Sequence, residues 1–244
     1  MPETHDVELT TVDGPMRLFE ALPDTPAQAA VIVIMEAFGV NDYIEDVVTR
    51  LVDAGYQAVA PDLFHRAGGG TAPYGDFSKV LPLFEGLTDS GILVDVDAAI
   101  GHLGDNGFGE HQIGVVGFCF GGRVTFLTAV ERRLGAAVGF YGGGIVTARF
   151  PQFPPLVGRA SELKTPWLGL FGDLDESIPV DDVEQLRAAL DKDAPVDHEI
   201  VRYREAGHGF HCDVRDAYHP ESADDGWGRT LEWFSFHLGI EPPR

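Results

Sequence analysis

The sequence predicts an α/β fold, a mostly parallel central sheet with helices on both faces, and three observations carry that prediction. Short, apolar, β-branched runs recur at 29–35, 57–60, 113–118, 136–141 and 167–171, the composition of strands buried on both faces. Stretches between several of them repeat apolar residues with the 3.6-residue period of an amphipathic helix. Glycine and proline punctuate the junctions, so strands and helices alternate along the chain.

In order, Val7–Thr11 and Met16–Leu22 flank Val12-Asp13-Gly14-Pro15 and predict an N-terminal antiparallel hairpin with an Asp-Gly turn. Ala29–Met35 is the first fully buried strand. Ile44, Val47, Val48, Leu51 and Val52 then share one helical stripe that Gly55 ends. Gln57–Ala60 is a strand closed by Pro61, and 63–74, with its glycine run 68–70, reads as a loop over the sheet edge, either plain surface or a lid. Helical pattern resumes over 77–87 and 93–103, then comes the strand Ile113–Phe118 and a helix from Arg123 onward. Ala136–Tyr141 is a strand, 147–162 a proline-bearing connection, Trp167–Phe171 a strand, and Val180–Leu190 a helix. His198–Tyr203 is the last strand and Gly226–Leu238 a terminal helix. The 244 residues, 44% hydrophobic, show no internal boundary and predict a single domain over 1–244.

Charge narrows the function classes. With 39 acidic against 17 basic residues, the net charge of -22 argues against nucleic acid or an anionic membrane as partner. No apolar run reaches the roughly 18 residues a bilayer-spanning helix needs. Two cysteines make no disulfide framework, and Met1–Asp6 has neither a basic nor an apolar signal region, so a cytoplasmic protein is expected. The remaining class is a small-molecule enzyme or binding protein, as a monomer or small homo-oligomer, with no cofactor expected.

The chemistry concentrates at Gly117-Phe118-Cys119-Phe120-Gly121-Gly122, between a buried strand and a helix. This is the G-x-S-x-G nucleophile elbow with cysteine in the serine position. The glycines relieve crowding where the strand turns sharply into the helix, and the helix N-terminus beneath Cys119 favours a thiolate and a developing oxyanion. A buried free cysteine is also common in cores, so the rest of the chain has to decide. Past the strand Trp167–Phe171 lie Asp173 and Asp175, and past the strand His198–Tyr203 lies His208. Nucleophile, acid and base therefore follow in the chain order of an α/β-hydrolase triad, each just beyond a strand. His208 would accept the thiol proton or pair with the thiolate, and the aspartate would fix its tautomer. The backbone N–H groups of Phe120 and Ala37 would form the oxyanion hole.

With these residues in view, the sequence resembles the dienelactone hydrolase (carboxymethylenebutenolidase) family over nearly its whole length. The resemblance runs through Glu36-Ala37-Phe38-Gly39, Ala60-Pro61-Asp62-Leu63, the elbow, Phe140-Tyr141-Gly142, the Gly-x-x-Asp-x-x-Ile-Pro of 172–179, and Gly207-His208-Gly209-Phe210. It implies an α/β-hydrolase fold and a cysteine-dependent hydrolase of small esters or lactones. It places the triad acid four residues before Pro179, at Asp175. It also implies that Glu36 holds the resting thiol and takes its proton when substrate arrives, so that alkylation of the free protein should be slow. Phe38, Tyr141 and Phe210, beside these motifs, are the expected pocket side chains. A ligand receptor of the same fold, or a redox-sensing thiol, is the alternative that a complete triad disfavours.

The remaining candidates read as structural. His208, His211, Cys212 and Asp213 are too tightly spaced for one tetrahedral metal site, so no metal is expected. Trp227 and Trp233 read as packing, and Arg66, Lys79, Arg204 and Arg215 as solvated cations, with binding of an acidic substrate as their alternative. In the well-known members two arginines clamp a substrate carboxylate, one of them four residues after the catalytic histidine. Here that position is Cys212, and no arginine falls near Lys79–Leu81. The expectation is a preference for neutral esters or lactones.

Overall fold

Residues 3–240 are described by a computed structural model. Among these residues lie eight strands: β1 (Glu3–Thr11), β2 (Gly14–Leu22), β3 (Ala30–Ile34), β4 (Gln57–Pro61), β5 (Ile113–Phe118), β6 (Ala136–Phe140), β7 (Trp167–Gly172) and β8 (His198–Tyr203). They form one sheet in the order β1-β2-β4-β3-β5-β6-β7-β8. The hairpin β1–β2 is antiparallel and lies antiparallel on β4, and every pairing from β4 to β8 is parallel. Every residue of β3, β4, β5, β6 and β7 is buried, as the uniformly apolar runs require. The hairpin is longer and its turn tighter than the sequence pattern suggests. Pairing starts at Thr11 with Gly14, and the Thr11 hydroxyl braces the turn by accepting from the Asp13 N–H.

Among the described residues six α-helices accompany them: α1 (Asp42–Asp53), α2 (Phe77–Phe84), α3 (Asp89–Asp105), α4 (Phe120–Glu131), α5 (Val180–Asp193) and, after the last strand, α6 (Pro220–Leu238). Helix α1 packs on β2, β3 and β4, α6 on β5, β6 and β7, and Arg50 of α1 stacks over Trp227 of α6, so both cover one face. Helices α3 and α4 pack together on the other face. Caps explain the boundary differences. Helix α3 starts four residues before its apolar stripe because the Thr88 hydroxyl accepts from the Gly91 N–H. Helix α6 starts six residues early because His219 caps it through the Ser222 N–H and Pro220 sits at its first turn, outweighing Gly226 and Gly228. Helix α2 stops at Phe84.

The loop 63–74 is pinned rather than free. Arg66, expected in solvent, donates to Asp95 and Asp13 at 2.6–2.9 Å, and His65 contacts Asp95 at 3.0 Å. The Asp62 carboxylate accepts from the Phe64 and Gly70 N–H groups, and the Ala72 N–H donates to the Phe38 carbonyl. The loop thereby delivers Tyr74 to the carboxyl edge of the sheet, where ligands bind in such folds.

Candidate active site

Between β5 and α4 the chain makes a turn that only small residues allow. A Cβ on Gly117 would overlap the Gly121 carbonyl, and one on Gly121 would overlap the Ile34 carbonyl of β3. Cys119 sits at the bend with φ 55° and ψ -113°. Its N–H donates to the Phe140 carbonyl, and its own carbonyl accepts from Gly122, so tertiary bonds hold a conformation that costs about 1–3 kcal/mol. The thiol therefore stands above the first turn of α4, whose N–H groups, Phe120 first, lack intrahelical partners. Ala37 lies across from it on the loop after β3, lining the same cavity.

The three triad candidates meet. His208 Nε2 is 3.0 Å from Cys119 Sγ, and His208 Nδ1 is 2.6 Å from Asp175 Oδ2. Asp175 also accepts from the N–H and the hydroxyl of Ser177. Burial opposes charge on Asp175, but His208 and the two Ser177 donors together outweigh it and hold the carboxyl below its ordinary range. Burial likewise works against imidazolium at His208, and Cys119 and Asp175 reverse it, raising the histidine to about 10. Asp173, the competing carboxylate, turns away to Arg202 of β8 at 2.7 and 2.8 Å.

Glu36 is fully buried beside this chain, but its partners differ from those the resemblance implies. Tyr74 donates to its Oε2 at 2.9 Å and Arg215 to its Oε1 at 3.2 Å, while the thiol faces His208 instead. Burial pushes Glu36 above its ordinary pKa, against the opposing pull of Arg215 and Tyr74. Arg215, expected in solvent, is thus the counter-ion of a buried carboxylate and lies over the Tyr74 ring. Sequence reasoning missed Tyr74 and this use of Arg215. Cys212, at the clamp position, is buried and contacts the Tyr74 hydroxyl at 3.5 Å, and burial lifts its thiol to about 11. His211 instead meets the Tyr43 hydroxyl at 2.7 Å, so the His-Cys-Asp cluster diverges in space. Lys79 and Arg204 are exposed, as expected.

One cavity of about 560 Å³ reaches Ala37, Cys119, Phe120, Asp175, His208 and Arg215 together. The pocket side chains expected from the motifs are displaced from it. Tyr141 packs edge-on to His208 at 5.1 Å with Phe210 behind it at 5.2 Å, and Phe38 backs Tyr74 and Phe77. All three are buried supports of the site, packed on His208, on Tyr74 or on one another rather than facing the cavity. The wall comes instead from Phe77, Val80 and Phe84 of α2 and from Arg149, Phe150 and Phe153. The sequence reading treated those stretches as a helix and a connection.

The sequence profile of the dienelactone hydrolase family matches residues 16–238. A protein of Escherichia coli O157:H7 named "Putative carboxymethylenebutenolidase" is 42% identical over 216 residues, covering 86% of this chain and 77% of that one. The carboxymethylenebutenolidase of Rhodococcus opacus is 30% identical over 230 residues, covering 93% of this chain and 88% of its own. Among solved structures, the "Putative Dienelactone Hydrolase" of Klebsiella pneumoniae subsp. pneumoniae superposes with a TM-score of 0.89 at 37% identity, covering 96% of this chain and 99% of that one. The sheet order, the elbow and these matches agree on an α/β-hydrolase fold, and the chain belongs to the dienelactone hydrolase family.

Proposed function

We propose that the protein hydrolyses carboxylic esters or lactones through a Cys119–His208–Asp175 triad and a thioester intermediate. The observation that carries this reading is the unbroken chain from Sγ to Nε2 at 3.0 Å and from Nδ1 to Asp175 at 2.6 Å, opening on the cavity. The Cys119 thiolate attacks the carbonyl carbon, and the carbonyl electron pair moves onto an oxygen placed between the N–H groups of Phe120 and Ala37. Collapse of that oxyanion breaks the bond to the leaving oxygen, which takes the proton from His208 Nε2. In a lactone the leaving oxygen stays tethered to the acyl group. Water then gives a proton to His208 and attacks the thioester, and its breakdown releases the acid and regenerates the thiol. Asp175 holds Nδ1 and balances the imidazolium in both halves. Glu36, kept in place by Tyr74 and Arg215, acts on the site indirectly, as the buried carboxylate that fixes Arg215 at the cavity wall.

The test is rapid mixing with an aryl acetate. A burst of phenol close to one equivalent, followed by steady turnover, is expected, with an acyl group on Cys119 by mass spectrometry. Cys119→Ala should lose roughly 10⁴-fold or more in kcat. Turnover that survives in folded Cys119→Ala, or acylation without turnover in the wild type, would refute the reading; the latter is the behaviour of a receptor.

A further inference from the structure

The cavity has two unlike sides. Toward His208 it is bounded by Leu174, Gly207, Arg215 and Ala217, and away from it by an arm of phenylalanines. In that arm Phe84 stands edge-on to Phe120 at 4.8 Å, Phe150 lies 5.3 Å from Phe84, and Phe153 closes on Phe120 at 5.2 Å. Phe77 lines the same cavity, 57% exposed although apolar, with its ring 5.8 Å from Phe38. Beneath Phe153 runs Arg123, 2% exposed, its guanidinium neutralised by Asp89 at 2.6 and 3.0 Å and by the Pro154 carbonyl. Its Nε–H is buried without a partner, and a donor in that state is satisfied when a ligand or water reaches it.

Stereochemistry assigns the two sides, given the triad reading above, on which this inference rests. His208 must protonate the leaving oxygen, so the leaving group lies on the His208 side of Cys119. The carbonyl oxygen occupies the hole at Phe120 and Ala37. The acyl chain then has one direction left, past Phe120 into the phenylalanine arm. Charge decides what it holds. Arg215 is committed to Glu36 and Arg123 to Asp89, and the arm itself is ring faces and edges, which strip water from a carboxylate without replacing it. Arg149 lines the cavity too, but it is exposed at the rim and donates to the Ser177 carbonyl.

We propose that this arm is the acyl subsite and that it selects a bulky, uncharged acyl group built on an aromatic ring. The Phe84–Phe120 and Phe150–Phe153 pairs already meet edge-to-face, at 4.8 and 6.3 Å, a geometry that a further ring would extend. The substrate class is therefore aryl-substituted alkanoate esters or the corresponding lactones, rather than short-chain acetates.

The experiment compares nitrophenyl esters that share one leaving group and differ in the acyl part: acetate, phenylpropanoate, and phenylpropanoate carrying a carboxylate on the ring. Phenylpropanoate is expected to exceed acetate in kcat/KM by about tenfold or more, and the carboxylated ring to fall back by a similar factor. The ratio of phenylpropanoate to acetate should collapse toward unity in Phe77→Ala and in Phe150→Ala. Phe77 is exposed and Phe150 half-buried, so at least the first variant keeps the fold. If acetate is hydrolysed in a Cys119-dependent way but the three acyl groups turn over alike, or the carboxylated ring is preferred, the subsite assignment is wrong while the hydrolase reading stands. If none of the esters is hydrolysed, the hydrolase reading falls and the subsite falls with it.

Discussion

Replacing Arg215 by glutamine isolates the electrostatics behind the nucleophile. The Arg215 Nη1 is 3.2 Å from Glu36 Oε1, and the carboxylate is fully buried, with Tyr74 as its other donor. Removing one partner of a buried pair costs more than the pair contributes, because the remaining charge is left desolvated. That cost has a ceiling, since the carboxylate can take up a proton instead. For a group whose ordinary pKa is 4.5, holding a proton at pH 7 destabilises the fold by at most about 3.4 kcal/mol, at about 1.36 kcal/mol per pH unit. At pH 5.5 the ceiling is about 1.4 kcal/mol by the same rule. The sign follows from linkage: the folded variant keeps a proton that the unfolded chain releases above pH 4.5, so the variant weakens as pH rises. Because burial already raises Glu36 in the wild type, and Arg215 is partly exposed, the measured loss should sit below each ceiling, near 1–3 kcal/mol at pH 7. Urea unfolding of both proteins at pH 7 and pH 5.5 measures it. A loss that is equal at the two pH values, or larger at pH 5.5, would refute the assignment of Arg215 as the group that keeps Glu36 ionised.

Three further predictions rest on separate contacts. Asp175→Asn should depress kcat by orders of magnitude while Asp173→Asn costs little activity and some stability through Arg202; the reverse ranking in steady-state assays would reassign the triad acid. His211 is buried neutral and lowered to about 3, so the stability it contributes is complete above pH 6.5 and declines as pH falls toward 3, by about 2 kcal/mol at pH 5. His211→Gln should flatten that acid limb in unfolding measured across pH, and an unaltered limb would exclude the group. Iodoacetamide should label Cys119 quickly and leave buried Cys212 untouched, with Glu36→Gln changing the rate little, because the thiol faces His208; slow labelling that Glu36→Gln accelerates would instead put the resting thiol on Glu36.

What the sequence made legible was whatever is encoded locally. The buried strands announce themselves as uninterrupted apolar runs, and the elbow as glycines that flank Cys119. Partners far apart in the chain left no such mark. Arg215 and Glu36 are 179 residues apart, and nothing near either one separates a buried ion pair from a solvated cation. Asp173 and Asp175 share one loop, and the choice between them on the residues alone was open, since it depends on Arg202 of the neighbouring strand drawing Asp173 away. The phenylalanine arm was missed for a different reason. An aromatic side chain at a cavity and one in a core leave the same apolar period, so Phe77 and Phe84 of α2 and the Phe150-x-x-Phe153 spacing read as packing. The usable signal was the clustering of phenylalanines in two segments that otherwise carry prolines.

The two carboxylates at the site show why the fold is needed to assign roles. Glu36 and Asp175 are both buried, and burial raises both. At Asp175 the bond to His208 at 2.6 Å, with Ser177 behind it, more than offsets that, and the group stays ionised. At Glu36 the longer contact to Arg215 and one tyrosine hydroxyl fall short, and its pKa remains high. Environments that push two acids apart separate their chemistry. Asp175 is fit to be a permanent anion that steadies an imidazolium, whereas Glu36 is tied to Arg215 and Tyr74 rather than to the thiol, which faces His208.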